Sequence, residues 1–108
     1  MNRYTGTRNC GAIDVRVDGV PLNPRFDLRL HSPNGFEWGY GGSGPAQLAL
    51  AILANHFGDD EWALNLYQRF KWAVIAQLPW KEWTLTSVEI DHILQTIRHK
   101  AELQEGKT

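Results

Sequence analysis

Four glycines within six residues, at positions 39, 41, 42 and 44, stand where the apolar pattern of this chain changes its period. That junction constrains the fold more than any other feature. Before it, apolar and polar residues alternate in short runs, the period of a strand with one wet and one dry face. After it, apolar residues recur at the spacing of a helix. A sheet built first and helices built second is the signature of an α+β fold rather than of repeating β-α units. The chain has 108 residues, enough for one domain that buries roughly 65% of the surface its unfolded form exposes. The domain is assigned to 1–104, and 105–108 is read as a frayed C-terminal tail.

In the first half, Ile13, Val15 and Val17 alternate with Asp14 and Arg16, and Val20 and Leu22 resume after Asp18-Gly19. Asp-Gly between two such runs predicts a two-residue hairpin. Beyond Pro21 and Pro24, Phe26, Leu28 and Leu30 alternate with Asp27, Arg29 and His31 and predict another strand. Ser32-Pro33-Asn34-Gly35 has turn chemistry, and Phe36, Trp38 and Tyr40 predict the strand that follows it. Arg3 to Thr7 reads as an outer strand that Gly6 weakens. The expected sheet is an N-terminal antiparallel meander of four or five strands, packed on one face by three helices.

The first helix is expected from Pro45, a good first helical residue, with Ser43 or Gly44 as its cap and Gly58 as its stop. Asp59 and Asp60 open the second, which runs from about Glu61 to Leu78 before Pro79. It places Trp62, Leu66, Phe70, Ala73 and Val74 on one face and is so apolar that it is expected at the centre of the domain. Trp83-Thr84-Leu85 reads as one more short strand. Thr86-Ser87-Val88-Glu89 is a capping box for the third helix, whose inner face carries Ile90, Ile93, Leu94, Ile97 and Ala101.

Charge and cysteine content exclude several functions. Eleven basic against twelve acidic residues give a formal net charge of -1, which argues against a dedicated nucleic-acid binder. A single cysteine, Cys10, excludes a disulfide scaffold and suits a reducing compartment, so the expected location is cytoplasmic. No run approaches the ~20 apolar residues of a membrane span. Every basic residue before position 55 is an arginine: Arg3, Arg8, Arg16, Arg25 and Arg29. Arginine and large aromatics dominate binding hot spots. Arg16, Arg29 and Tyr40 are therefore the interface candidates, against a plainer reading in which the arginines solvate the sheet.

The glycine segment is the remaining lead. Gly39, Gly41 and Gly44 satisfy G-x-G-x-x-G between an expected strand and a helix, so Gly39, Gly41, Gly42, Ser43 and Gly44 form a candidate phosphate cradle at a helix N-terminus. Three features oppose a dinucleotide fingerprint: the preceding strands read as antiparallel, Asp59 and Asp60 come early for a ribose contact, and Pro45 removes a donor. A phosphate loop ending in Gly-Lys is excluded, and a nucleophile elbow fails at Pro45. The other reading is a tight crossing in which small residues bring helix and sheet close together. His31, His56, His92 and His99 are scattered without metal-ligand spacing, and Cys10 lies alone in a turn. No catalytic residue, metal or cofactor is assigned.

The stretch from Phe36 to Ala51 resembles the signature F-x-W-G-Y-x-G-S-G-P-x-Q-L-A-x-A of an uncharacterised family of small bacterial and phage-encoded domains. The likeness extends to Arg3-Tyr4-x-Gly6, to the Val17-Asp18-Gly19 hairpin and to the segment from Ala73 to Leu78. The resemblance implies a phage or other mobile-element origin and little chemistry. Taken with the residues, it leads to the expectation of a small non-enzymatic protein-interaction module that modulates a host or defence protein. The alternative is a phosphate, nucleotide or small-molecule binding domain using the glycine-rich loop. A homodimer is left open, because so many aromatics on so short a chain strain the capacity of one core.

Overall fold

Asp18 and Gly19 adopt φ of 50° and 83°, the paired left-handed residues of a tight hairpin turn, and join strand β2 (Ala12–Val17) to β3 (Val20–Pro21). Cys10 and Gly11, at 52° and 83°, make the same kind of turn between β1 (Arg3–Asn9) and β2. In this computed structural model, which describes residues 2–105 and side chains as far as Arg98, β4 (Glu82–Thr86) completes a four-stranded antiparallel sheet in the order β3-β2-β1-β4. Together with helices α1 (Ser43–Phe57), α2 (Asp60–Ala73) and α3 (Ser87–Glu105), it gives the expected α+β architecture. His99 and Ala101, whose side chains were expected on α3, and the tail at 106–108 lie outside what is described.

The sheet differs from the expected meander in two respects. β1 is an interior strand, with Gly6 opposite Val15 on one side and Trp83 on the other. The glycine that weakened the strand assignment makes the position fit, because a Cβ there would fall within the Trp83 indole. Second, the segments Phe26 to Leu30 and Phe36 to Tyr40 are not strands. Pro21, Pro24 and Pro33 break the run, Arg25 sits at φ 57°, and the loop's polar groups find a side chain instead of a ladder. Gln47, completely buried in α1, donates to the carbonyls of Pro24 (2.6 Å) and Arg29 (3.0 Å). Its Oε1 accepts from the amides of His31 (2.8 Å) and Ser32 (3.2 Å).

One buried amide thus holds a long irregular connection against the helix. Replacing Gln47 with leucine keeps the volume but strands four backbone groups, at an expected cost of about 2 kcal/mol. The loop is expected to open locally, so hydrogen exchange at the His31 and Ser32 amides should accelerate at least roughly ten-fold over the parent protein. Unchanged exchange would show that the loop is held by something else.

Alternation along the strands divides the sheet faces. Thr5, Thr7, Asp14, Arg16, Glu82 and Thr84 form an open polar face, whereas Tyr4, Val15, Trp83 and Leu85 are buried in the core. The Tyr4 hydroxyl donates to Asn55 Oδ1 on α1 (2.6 Å).

The central helix is α1, not α2: every residue from Gly44 to Ala54 is buried. Ala46, Ala49, Ala51 and Ala54 make it thin enough to be enclosed on all sides, while α2 keeps Asn65, Gln68 and Arg69 in solvent. α1 is capped by Gly42, one residue before the expected Ser43 or Gly44, and stops at Gly58, at φ 66°. Asp59 caps α2 by accepting from the amides of Glu61 and Trp62.

α2 ends at Ala73 rather than Leu78, giving way to a short 3-10 turn at Ile75–Gln77. There the Ile75 carbonyl accepts from the Gly39 amide (3.0 Å), which ties the turn to the glycine loop. Of the expected inner face of α2, Leu66, Phe70 and Val74 are buried, but Trp62 and Ala73 are exposed. The capping box forms as expected, with Glu89 Oε1 accepting from the Thr86 amide (3.0 Å) and Thr86 Oγ1 accepting from the Glu89 amide (3.3 Å).

Candidate functional site

Arg8 is the residue that organises the chemistry of the glycine loop. Tyr4, Gly6 and Arg8 follow one another on the helix-facing side of β1, and Arg8 lies opposite Ile13. A charge at that position needs partners, and the chain supplies them from far away. The two terminal nitrogens of Arg8 donate to the two carboxylate oxygens of Glu37 at 2.9 and 2.7 Å. Its Nε donates to the Trp80 carbonyl (3.1 Å), and the guanidinium lies 3.6 Å from the Trp80 ring centroid and 4.7 Å from that of Trp38. Parallel charge-assisted bonds of this kind combine strength with fixed orientation. They hold the Glu37 carboxyl below the usual carboxylate range, with the hydrogen bond from Arg8 as the main cause. Trp38, fully buried, donates from Nε1 to the same Trp80 carbonyl (2.9 Å) and meets Trp83 edge to face.

This knot fixes both ends of the loop. Glu37 lies at its start, and the aliphatic part of that side chain packs where a Cβ on Gly44 would otherwise stand. Gly39, at φ 87°, lies beneath Trp80; Gly41 lies beneath the Trp72 ring; Gly42 faces the ring of Tyr40. The glycines therefore act as seats for the protein's own aromatics. Ser43, the first residue of α1, is exposed.

The seated rings are only partly covered. Tyr40 is 46% exposed, Trp72 59% and Trp80 57%. Together they make an aromatic rim around the loop, with Lys71 and Lys81 next to the two tryptophans in sequence. The sequence pointed to Tyr40 but missed Trp72 and Trp80, which join the site only through tertiary contact with glycines some thirty to forty residues away.

The other interface candidates do not gather there. Arg16 is on the open sheet face, bound to Asp14 (3.0 Å) and the Gly19 carbonyl (2.9 Å). Arg29 is in the loop whose carbonyl bonds Gln47, on the helix side of the sheet. The structure does not join them into one arginine surface. His31 bonds the Tyr67 hydroxyl (2.7 Å), and His56 pairs with Asp91 (2.7 Å). Among the described residues no three His, Cys, Asp or Glu side chains cluster for a metal, and no helix is long and apolar enough to cross a membrane.

A family model described as a family of unknown function (DUF6166) matches residues 4–96. No curated protein and no solved structure matches the chain.

Proposed function

Since the chain belongs to DUF6166, a family of unknown function, we propose, from its own surface, that it is a non-enzymatic module that docks a protein partner on the aromatic rim of its glycine loop. The observation that carries this reading is the grouping of Tyr40, Trp72 and Trp80, each about half exposed and each seated on a glycine. An aromatic ring offers a large contact area. Rings already held in place lose little conformational entropy on binding, which is the main cost of ordering an interface side chain. Tryptophan, tyrosine and arginine are also the residues enriched where binding energy concentrates. The mobile-element origin implied by the loop motif makes a host or defence protein the first partner to test.

The test is affinity capture by the tagged protein followed by titration of the captured partner against two variants. Tyr40→Ser with Trp72→Ser is expected to weaken binding about thirty-fold or more, the loss of at least one hot-spot contact. Trp62→Ser, which removes an exposed tryptophan elsewhere on α2, should leave affinity unchanged. If the rim variant binds as tightly as the parent, or if Trp62→Ser carries the loss, the rim is not the docking surface.

A further inference from the structure

The sheet has two edges, and only one of them is guarded. At the β3 edge Leu22 donates to the Val15 carbonyl (3.0 Å), and successive residues of an antiparallel pair turn their backbone groups alternately toward and away from the neighbouring strand. Pro21, one residue earlier, therefore faces outward, and it has no N–H to offer. The strand is also only two residues long. Shortness and proline are common protections of an edge against pairing with another chain.

The β4 edge has neither. Arg8 donates to the Lys81 carbonyl (3.0 Å) and Ser87 to the Asn2 carbonyl (2.9 Å), so Lys81, Trp83, Leu85 and Ser87 direct their backbone groups at β1. Glu82, Thr84 and Thr86 direct theirs away from it. The chain answers the Thr86 amide itself, through Glu89 Oε1. The amides and carbonyls of Glu82 and Thr84 have no hydrogen-bond partner among the described residues, and both residues are exposed.

These four groups are self-complementary. When β4 of a second copy lies antiparallel alongside, with the two Trp83 residues opposite each other across a two-fold axis, Glu82 of each copy stands opposite Thr84 of the other. Each of those pairs exchanges two N–H···O bonds, and every outward group of Glu82 and Thr84 is answered. A shift of two residues one way sets the Glu82 side chains of the two copies directly opposite each other, where like charges are destabilising. A shift the other way sets Glu82 opposite Thr86, whose amide is already engaged. One register remains. It also closes: the joined sheet ends on both sides in the guarded β3 edge, so association stops at two copies. A foreign strand would answer the same groups but present a new bare edge of its own.

We propose that β4 is a dimerisation edge, pairing antiparallel with β4 of a second copy of this chain about a two-fold axis at Trp83. The contact goes beyond the aromatic rim and does not use Tyr40 or Trp72, so the two readings stand or fall separately.

Sedimentation equilibrium of the full chain from about 10 μM to 1 mM is expected to show monomer and dimer, with a dissociation constant on the order of 100 μM for so small an interface. Thr84→Pro removes an outward N–H and leaves the bonds to β1 in place, and should raise that constant at least ten-fold. Tyr40→Ser with Trp72→Ser should leave it unchanged. Two measurements on the parent protein need no variant. Amide exchange at Glu82 and Thr84 should slow as the concentration rises, and in a sample of mixed labelled and unlabelled chains the Trp83 α-protons of the two copies should show a mutual NOE. A chain that stays monomeric at about 1 mM, or a dimer in which the Glu82 and Thr84 amides gain no protection, overturns the proposal. So does a dimer that the rim variant abolishes, or an edge protected only by the strand of a different protein.

Discussion

Gly6→Ala is expected to lower the melting temperature by roughly 10–20 °C, although alanine is ordinarily the better strand residue. In an extended segment the backbone accepts the change, and losing glycine's freedom in the unfolded chain should favour folding by about 0.5–1 kcal/mol. Here the added methyl has nowhere to go. It would stand within the indole of Trp83, which is buried and packed edge to face on Trp38. To make room, Trp83 must leave that contact or β4 must shift from β1. Overpacking of a buried site costs about 1–3 kcal/mol, and the upper end applies because the obstacle is a large ring packed on another. The same contact predicts its own rescue. Trp83→Leu frees the space above Gly6, so adding Gly6→Ala to that variant should cost far less than adding it to the parent, a coupling that a double-mutant cycle measures by urea denaturation. If the two changes simply add, the ring is not the obstacle.

The second large effect is expected at Arg8. Arg8→Met leaves the half-buried Glu37 carboxylate without its cation. Removing one partner of a fully buried pair costs about 3–5 kcal/mol. Glu37 keeps 28% of its side chain in solvent, so about 2–3 kcal/mol is the discounted expectation. Replacing Glu37 with glutamine in the same chain should recover most of it, because the stranded charge is then gone.

The pH dependence has a definite sign. The bond from Arg8 depresses the folded-state pKa of Glu37, so the pair's contribution is complete above the unfolded carboxyl value of about 4.3. It is lost as the pH falls through the lower, folded value. The difference in stability between parent and Arg8→Met should therefore be constant near neutrality and shrink on acidification. A difference that grows in acid would mean that Glu37 is not what Arg8 stabilises.

Elements with local signals were readable from the residues alone. Asp18-Gly19 set a turn by φ preference, Thr86 and Glu89 met across three residues, and Gly58 ended a helix by its own freedom. The segment from Phe26 to Leu30 had the right alternation but the wrong fate. The Arg29 carbonyl within it, and the Pro24 carbonyl and the His31 and Ser32 amides that flank it, are claimed by Gln47, far enough along the chain that no local period reports it. The site divides in the same way. The glycines and Tyr40 stand together in sequence and were found together. Arg8, Glu37, Trp72 and Trp80 come from four separate segments and converge only in the folded domain. One signal was available: Arg8 continues the inward series of Tyr4 and Gly6, and a charge on a dry face demands a distant partner.

β1 carries a consequence for how the protein is made. It pairs on one side with β2, its immediate neighbour, and on the other with β4, where Arg3 meets Thr86 and the Asn2 carbonyl accepts from the Ser87 amide. A chain emerging from the ribosome can form the first hairpin early. Its inner strand must then wait with a bare edge until nearly the whole domain has been synthesised. Closing so large a loop makes the last strand pairing slow, and during that wait the unpaired edge is open to any other extended chain. Glycine at position 6, which makes room for Trp83 in the finished sheet, also weakens the intrinsic strand preference of that waiting edge. The same residue that completes the core keeps the nascent strand a poor template until its own partner arrives.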